Sequence, residues 1–139
     1  MKILLVTPIV AVAALLATPA WAADRGALGA HEYQKDCADC HGKGGKGDGL
    51  YSVNAKAPLP DLTTLAKRNG GAFPKERVAK SIDGRLEIKA HGTSDMPAWG
   101  TEYLRRAGEY YGDVAYDPEA YVRERVTALV GHLERQQAE

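Results

Sequence analysis

Both cysteines of the chain and one of its four histidines lie within five residues, 37-CADCH-41. Two thiols and an imidazole at this spacing could form a disulfide, a redox-active dithiol, half of a metal site or an attachment point for a prosthetic group. A disulfide between Cys37 and Cys40 would close a loop of only a few residues and would restrict the unfolded chain little. The spacing therefore disfavours a structural disulfide.

A thioredoxin-like dithiol and a zinc site are both weakly supported by the surrounding sequence. The dithiol would be expected at the start of a helix that follows a strand, but 26-GALGAHEYQK-35 is polar and carries Leu28 and Tyr33 at helical spacing. A structural zinc site needs four ligands, commonly from paired cysteines or histidines. The other histidines stand alone in the sequence: His31, His91 and His132.

Covalent attachment of haem is the remaining interpretation, because C-x-x-C-H is the recognised signature of haem c. Residues at i and i+3 of a helix lie on one face about 5–6 Å apart. Cys37 and Cys40 so placed can form thioethers with two vinyl groups on one porphyrin edge, and His41 follows as a ligand of the iron. The pattern predicts one haem c and accounts for every cysteine.

The N-terminus, 1-MKILLVTPIVAVAALLATPAWAAD-24, has the layout of a secretory signal peptide. Lys2 precedes an uncharged, mostly apolar run, and small residues precede a cleavage site after Ala22. The alternative is an uncleaved membrane anchor, but Pro8 and Pro19 shorten the run below the roughly 20 apolar residues that a spanning helix needs. We therefore predict cleavage and export to the periplasm, with no stable membrane insertion of the mature chain.

Removal of the signal peptide, residues 1–22, leaves residues 23–139, which are enough for one compact domain with a modest core. The whole chain has 18 basic and 18 acidic residues, and the loss of Lys2 leaves 17 against 18. This near-neutral balance gives no reason to expect nucleic acid or an anionic membrane surface as a partner.

A carrier of electrons needs a second axial ligand, because an open position on the iron binds small molecules instead. The mature chain has a single methionine, Met96, in 91-HGTSDMPAWG-100. A lone methionine usually fills a core, but the flanking acidic residue and proline indicate a loop here. Met96 is therefore the predicted ligand and His91 its rival, whereas the two remaining histidines are expected in surface or packing positions.

Local patterns predict an all-α chain, since no segment alternates with a period of two for long. Capping and turn residues bound four predicted helices: residues 26–40, 61–70, 74–84 and a last helix that begins at Asp117-Pro118-Glu119. The last helix carries a one-sided apolar stripe of Val122, Val126, Leu129, Val130 and Leu133.

Three segments between these helices have other expected roles. The run 42-GKGGKGDG-49 fails the phosphate-loop pattern, which needs Lys and then Ser or Thr after its last glycine, and is interpreted as a glycine turn against a flat ring. Residues 85–100 are predicted as a loop that presents Met96. Residues 101–121 contain five tyrosines and are expected to form an extended segment packed on the domain, or alternatively a docking surface.

Over residues 26–136 the chain resembles the class I c-type cytochromes, small haem proteins of the bacterial periplasm. The resemblance rests on a first helix that ends in C-x-x-C-H-G, a glycine-containing loop, a later Met-Pro pair and a closing C-terminal helix. It implies an all-α cytochrome c fold wrapped around one haem. By this resemblance Cys37 and Cys40 carry the thioethers, His41 is the proximal ligand of the iron and Met96 is the distal ligand.

The resemblance also implies roles for residues outside the ligand set. A proline carbonyl orients the ligating histidine in the family, and Pro58 is preferred over Pro60 for that role here. Trp99 resembles an aromatic residue near a haem propionate. The chain departs from the family at His132, where an aromatic residue of the last helix would pack on Gly29. His132 either takes over this packing or the contact is made differently.

The expected function is single-electron transfer between transient redox-protein partners, without catalytic activity. Four lysines near the motif would ring an exposed haem edge and steer an acidic partner: Lys35, Lys43, Lys46 and Lys56. One alternative is a ligand-binding haem sensor or enzyme in which Met96 is absent from the iron or readily displaced. The other is a haem-bearing subunit of a larger redox complex, docked through the tyrosine-rich segment.

Overall fold

A computed structural model describes residues 20–85 and 96–138 of the chain. These residues form an all-α structure, as predicted, with the following helices: α1 (Ala20–Glu32), a π-helical segment (Tyr33–Cys37), α2 (Ala38–His41), α3 (Lys75–Asp83), α4 (Trp99–Tyr111) and α5 (Pro118–Arg135). Three short 3-10 segments lie between α2 and α3: Leu50–Asn54, Leu62–Thr64 and Lys67–Asn69. Residues 1–19 of the predicted signal peptide and the rival ligand His91 lie outside the described residues.

The first helical segment runs from α1 through the π-helical turn into α2, and α1 packs against α5. At the crossing, a Cβ on Gly29 would overlap the carbonyl oxygen of Ala128 and lie 3.2 Å from the Cβ of His132. The ring of His132 lies 4.9 Å from the ring of Tyr33, centroid to centroid. His132 therefore takes over the packing on Gly29, which resolves the two alternatives that the sequence left open.

α5 begins and packs as the sequence predicts. The side chain of Asp117 accepts a hydrogen bond from the backbone N–H of Ala120 at 3.0 Å, and Pro118 is the first helical residue. Burying the apolar stripe of a helix supplies most of its stability in a folded protein. The predicted stripe is buried throughout: Val122, Val126, Leu129, Val130 and Leu133.

The tyrosine-rich segment is helical over its first half, which corrects the expectation of an extended chain. α4 starts at Trp99, so the loop predicted over residues 85–100 ends two residues earlier than expected. The helix buries its side chains Tyr103 and Ala107 completely. Gly100 and Gly108 obscured this helix, because glycine in a helix interior costs about 1 kcal/mol relative to alanine. Tertiary packing of the buried face outweighs that local preference.

The helix predicted from Asp61 to Gly70 is replaced by two 3-10 turns. Asp61 still caps the first of them, since its Oδ1 accepts hydrogen bonds from the backbone N–H and the Oγ1 of Thr63 at 2.8 and 2.6 Å. The next helix, α3, begins at Lys75 with Pro74 as its N-cap instead of its first helical residue. It ends at Gly84 in the left-handed conformation, as predicted.

One apolar cluster joins the helices and positions the predicted site. Its largest fully buried side chains are Tyr33, Tyr103, Val122 and Leu129. Within residues 20–85 and 96–138, none of the helices combines the length and the apolar character that a bilayer-spanning segment requires.

Candidate functional site

The cysteines lie where the π-helical turn meets α2. Cys37 is the last residue of that turn and Cys40 lies in α2. The two cysteines form no disulfide with each other; Cys37 is half-buried and packs against the apolar cluster, whereas Cys40 is exposed. A π-helical turn inside an α-helix often marks a functional site, because it changes the direction in which the following side chains point. Here the change of pitch comes directly before the two thiols and His41.

Burial raises the pKa of the Cys37 thiol to about 12, and the carboxylates of Asp36 and Glu32 add to the shift. Reactive dithiols have lowered pKa values, because the thiolate is the nucleophile in thiol–disulfide exchange. The shift at Cys37 has the opposite sign, so the structure gives no support to a thioredoxin-like role.

The glycine loop after His41 caps the C-terminal end of α2 with backbone hydrogen bonds. The N–H of Gly49 donates to the carbonyl of Cys40 at 3.2 Å, and the N–H of Gly47 donates to the carbonyl of His41 at 2.8 Å. A Cβ on Gly49 would lie 2.6 Å from that same Cys40 oxygen. Glycine is thus required where the loop backbone approaches the helix end, and the close approach holds the motif in place.

Tyr33 connects this loop to the first helical segment. Its hydroxyl donates a hydrogen bond of 2.8 Å to the carbonyl of Gly42, the residue after His41, and the bond is buried. Burial raises the pKa of Tyr33 to about 12, and the nearby Cys37 and Asp48 add to the shift. The hydroxyl therefore keeps its proton at neutral pH and remains a donor.

His41 is half-buried at the end of α2, and burial lowers the pKa of its imidazole. The neutral imidazole is the form that binds metal ions, so the protonation state suits an iron ligand. Its Nδ1 is buried and has no hydrogen-bond partner among the described residues. The prediction that a carbonyl of Pro58 or Pro60 orients this ring is therefore wrong for this structure.

Met96, the predicted distal ligand, and Trp99 lie just before and at the start of α4. Met96 is half-buried and packs against the same apolar cluster as Cys37, so the fold brings the predicted distal ligand and the first cysteine to one core. Trp99 opens α4, and its ring lies 6.1 Å from that of Tyr103 and 5.8 Å from the guanidinium of Arg106. Of the remaining histidines, His31 is exposed, as predicted.

The surroundings of the motif fit a haem. Beside α2, the turn after the glycine loop exposes Leu50, Tyr51 and Val53 by 78%, 52% and 83%. Apolar side chains clustered at a surface indicate a binding face. Among the described residues no group of three or more His, Cys, Asp or Glu side chains is arranged to hold a metal ion. Two thiols and a neutral imidazole at the end of α2, beside apolar side chains, are the groups that would attach haem c and ligate its iron from one side.

Sequence reasoning missed a cluster of charged side chains next to Cys37. Glu32 and Asp36 lie one helical turn apart on the first helical segment, and their side chains are 7% and 4% exposed. They face Arg106 of α4 and Arg125 of α5. The i, i+4 spacing of the two acids was visible in the sequence, but their partners were not. Arg106 lies on α4, which was not predicted as a helix, and Arg125 lies outside the predicted apolar stripe of α5.

Residues 24–110 match the family model described as Cytochrome C oxidase, cbb3-type, subunit III. The matched segment is more than half of the chain and includes 37-CADCH-41 and Met96. It ends at Tyr110, one residue before the end of α4. No curated protein and no solved structure gives a significant match.

Proposed function

The chain belongs to the family described as cbb3-type cytochrome c oxidase subunit III, a family of haem-binding electron-transfer cytochromes, and we propose that it carries one covalently bound haem with His41 and Met96 as axial ligands. The arrangement at the end of α2 supports this proposal most directly. There the glycine loop fixes two thiols and a neutral imidazole next to exposed apolar side chains. The haem supplies the iron that accepts and releases one electron.

Cys37 and Cys40 would hold the prosthetic group through two thioethers, each formed by addition of one S–H bond across one vinyl group. Cys40 is exposed and Cys37 is half-buried against the core, so one thioether faces solvent and the other faces the apolar cluster. Tyr33 and the glycine loop restrict movement of the backbone around His41. A rigid ligand frame reduces the reorganisation that accompanies each electron transfer.

Met96 completes the coordination in this proposal. Histidine–methionine ligation raises the reduction potential of haem iron relative to bis-histidine ligation. The half-buried position of Met96 against the apolar core supports this role. With both axial positions filled, the chain acts as a carrier of single electrons and not as an enzyme.

The signal-peptide pattern supports a periplasmic site of action, with a redox-protein donor and a redox-protein acceptor as transient partners. The four lysines near the motif are exposed: Lys35, Lys43, Lys46 and Lys56. Charges at the rim of a contact speed association with a partner of opposite sign more than they strengthen it. An acidic patch on the donor or acceptor would complement them.

A second function is favoured by the family description, which names an oxidase subunit. In this alternative the chain is a permanent haem-bearing relay of a larger redox complex. Tyr110 and Val114, near the turn between α4 and α5, are 76% and 65% exposed and would lie in the contact. The native mass of the holoprotein isolated from its own host separates the two functions, and Tyr110→Ser with Val114→Ser would dissociate a complex formed there.

The visible spectrum of the reduced holoprotein, recorded before and after addition of carbon monoxide, tests the proposed ligation. With Met96 on the iron, the bands of a c-type haem change little on addition of carbon monoxide. Met96→Leu opens the distal position and is the matched positive control, with a large spectral shift. A large shift in the unaltered protein would instead favour the sensor or enzyme alternative, and a protein without haem bands would overturn the proposal.

A further inference from the structure

Glu32 is the acidic member of the buried polar residues of the described core, with 5% of the whole residue exposed and 7% of its side chain. Such a charge is expensive to bury unless it is paired and hydrogen-bonded. Its Oε1 lies 3.4 Å from Nε of Arg125, and its Oε2 lies 4.0 Å from Nη1 of Arg106. Neither contact is a short ion pair, and Oε2 is buried without a hydrogen-bond partner among the described residues.

The neighbouring acid, Asp36, is satisfied in a way that Glu32 is not. Arg106 donates to both of its carboxylate oxygens, at 2.7 and 2.9 Å, and the hydroxyl of Tyr103 donates to one of them at 3.3 Å. Arg106 also donates to Glu102 at 2.9 Å. The guanidinium of Arg106 is thus occupied by two other carboxylates, so Glu32 is paired less closely than Asp36, through Arg125 at 3.4 Å, and its Oε2 has no hydrogen-bond partner among the described residues.

Glu32 also lies close enough to the cysteine site to respond to its charge. Cys37 is five residues further along the same helical segment, and the carboxylates of Asp36 and Glu32 both act on the pKa of its thiol. Electrostatic interaction is reciprocal, because the energy depends only on the two charges and their separation. A charge added near Cys37 therefore acts on Glu32.

We propose that Glu32 takes up a proton from water when the chain accepts an electron and releases that proton when the electron leaves. This inference rests on the proposed function, since the electron resides on the haem attached at Cys37 and Cys40. The step is balanced: the donor protein supplies one electron, water supplies one proton to Oε2, and oxidation returns both. The chain would then couple proton uptake to electron transfer.

The charged and titratable groups around Glu32 come from three elements. The first helical segment contributes Lys35, Asp36 and Cys37; α4 contributes Tyr103 and Arg106; and α5 contributes Tyr121 and Arg125. Burial raises the pKa of Glu32 and Asp36 adds to the shift, whereas Arg125 and Lys35 oppose it. Burial and the neighbouring acid thus outweigh the nearby cations.

The sign of the coupling follows from the added negative charge. Reduction disfavours the ionised carboxylate, so the pKa of Glu32 is higher in the ferrous protein than in the ferric protein. Between these two pKa values each reduction is accompanied by protonation, and the reduction potential falls as the pH rises. The slope is limited to about 59 mV per pH unit, the value for a tenfold change in a one-electron equilibrium.

The test is a potentiometric titration of the holoprotein over a range of pH, with Glu32→Gln compared with the unaltered chain. The unaltered protein should show a pH-dependent potential that Glu32→Gln makes flat over the same range. Glu109→Gln is the matched control, because this glutamate of α4 is exposed, pairs with Arg105 and is not among the groups that shift the pKa of Cys37, so the slope should stay unchanged. A reduced-minus-oxidised infrared difference spectrum should also show the carbonyl band of a protonated acid that Glu32→Gln removes.

The outcomes separate this inference from the proposed function. A slope that persists in Glu32→Gln would assign the proton to another group and overturn the inference while leaving the electron carrier intact. A flat potential in the unaltered protein, with normal c-type bands, would overturn it too. If Glu32→Gln fails to fold, the infrared band of the unaltered protein decides: no acid carbonyl band on reduction would contradict the proposal. Loss of carbon monoxide resistance would instead count against the proposed ligation.

Discussion

The segment around Cys37 is held by two kinds of contact, one on each side. After His41, backbone amides of the glycine loop donate hydrogen bonds to the carbonyls of α2, and the bonded groups are at most nine positions apart in the sequence. Before Cys37, side chains of α4 and α5 bind Glu32 and Asp36, and the hydrogen-bonded pair Asp36 and Arg106 is 70 positions apart.

The contacts after His41 form the loop side and those before Cys37 form the cluster side. The two sides differ in what stabilises them. The loop side depends on steric fit, because a side chain at Gly49 would overlap the carbonyl oxygens at the end of α2. The cluster side depends on charge balance, because acids that are less than a tenth exposed must be offset by arginines from other helices. The first side restrains the backbone around His41, and the second contains Glu32, for which we propose a response to charge.

The largest expected effect concerns charge balance on the cluster side. Arg106→Met removes both hydrogen bonds to Asp36 and leaves two buried carboxylates opposite one arginine. Breaking a buried ion pair by removing one partner costs about 3–5 kcal/mol. Denaturant unfolding of the holoprotein should show a loss of that order. Arg105→Met on the same helix removes only exposed pairs to Glu102 and Glu109 and should change the unfolding midpoint little. Equal losses for the two variants would mean that the cluster contributes no more than a surface pair.

The next largest effect concerns space on the loop side. Gly49→Ala places a methyl group against the carbonyl oxygens of Ala38 and Cys40, 2.7 and 2.6 Å from the new Cβ. Overpacking of this kind costs about 1–3 kcal/mol, and the displaced loop should also lower the yield of haem-bearing protein. Gly44→Ala lies in the same loop with nothing within 4 Å of its Cβ. If both variants unfold at the same denaturant concentration and carry equal haem, the loop is not the close-fitting cap that the structure indicates.

The same contrast explains how much of the molecule could be predicted from the sequence. The C-x-x-C-H motif, the N-cap at Asp117 and the glycine after α3 are local patterns, and the structure has each of them where the sequence indicates. The packing of His132 on Gly29 at the α1–α5 crossing was one of two alternatives that the sequence allowed. Gly29 indicated where the two helices approach closely.

What the sequence did not predict depends on contacts between distant residues. α4 contains two glycines and forms because its buried face packs on other helices. Those helices lie too far away in the sequence for a local pattern to reveal the contacts. The acid cluster needs α4 in place before Arg106 can reach Asp36, so missing the helix also concealed the cluster. The prediction that a proline carbonyl accepts a hydrogen bond from His41 was wrong for a related reason. The position of such a carbonyl depends on the path of a loop, which local sequence patterns do not determine.

A smaller effect is expected from the hydrogen bond that joins Tyr33 to the loop side. Tyr33→Phe keeps the ring contact with His132 and removes the hydroxyl that donates to the carbonyl of Gly42. The carbonyl of Gly42 keeps a second hydrogen bond, from the N–H of Gly45 at 3.1 Å, so the loss is that of one hydrogen bond, about 0.5–1.5 kcal/mol, and should appear in the free energy of unfolding. Tyr110→Phe, at an exposed tyrosine, is the control and should be neutral. A neutral Tyr33→Phe would show that glycine hydrogen bonds alone hold the loop.

The smallest effect comes from an ion pair remote from both sides. Arg85 donates to Asp83 at 2.7 and 2.9 Å and to Glu119 at 2.7 and 3.0 Å, joining the ends of α3 and α5 at the surface. These hydrogen bonds lower the pKa of both carboxyl groups. Because the folded pKa values are depressed, the stabilisation is complete above the ordinary carboxyl range and is lost as the pH falls through the folded values.

Arg85→Met should therefore lower stability slightly at neutral pH, by less than Tyr33→Phe, since exposed pairs contribute little and salt screens them. The difference from the unaltered protein should shrink in high salt and vanish in acid, where both carboxyl groups are protonated. Thermal unfolding at neutral and acidic pH measures it directly. A difference that persists in acid would mean that Arg85 stabilises the junction of α3 and α5 through the packing of its aliphatic stem, and the contrast between charge and space would then extend to this junction as well.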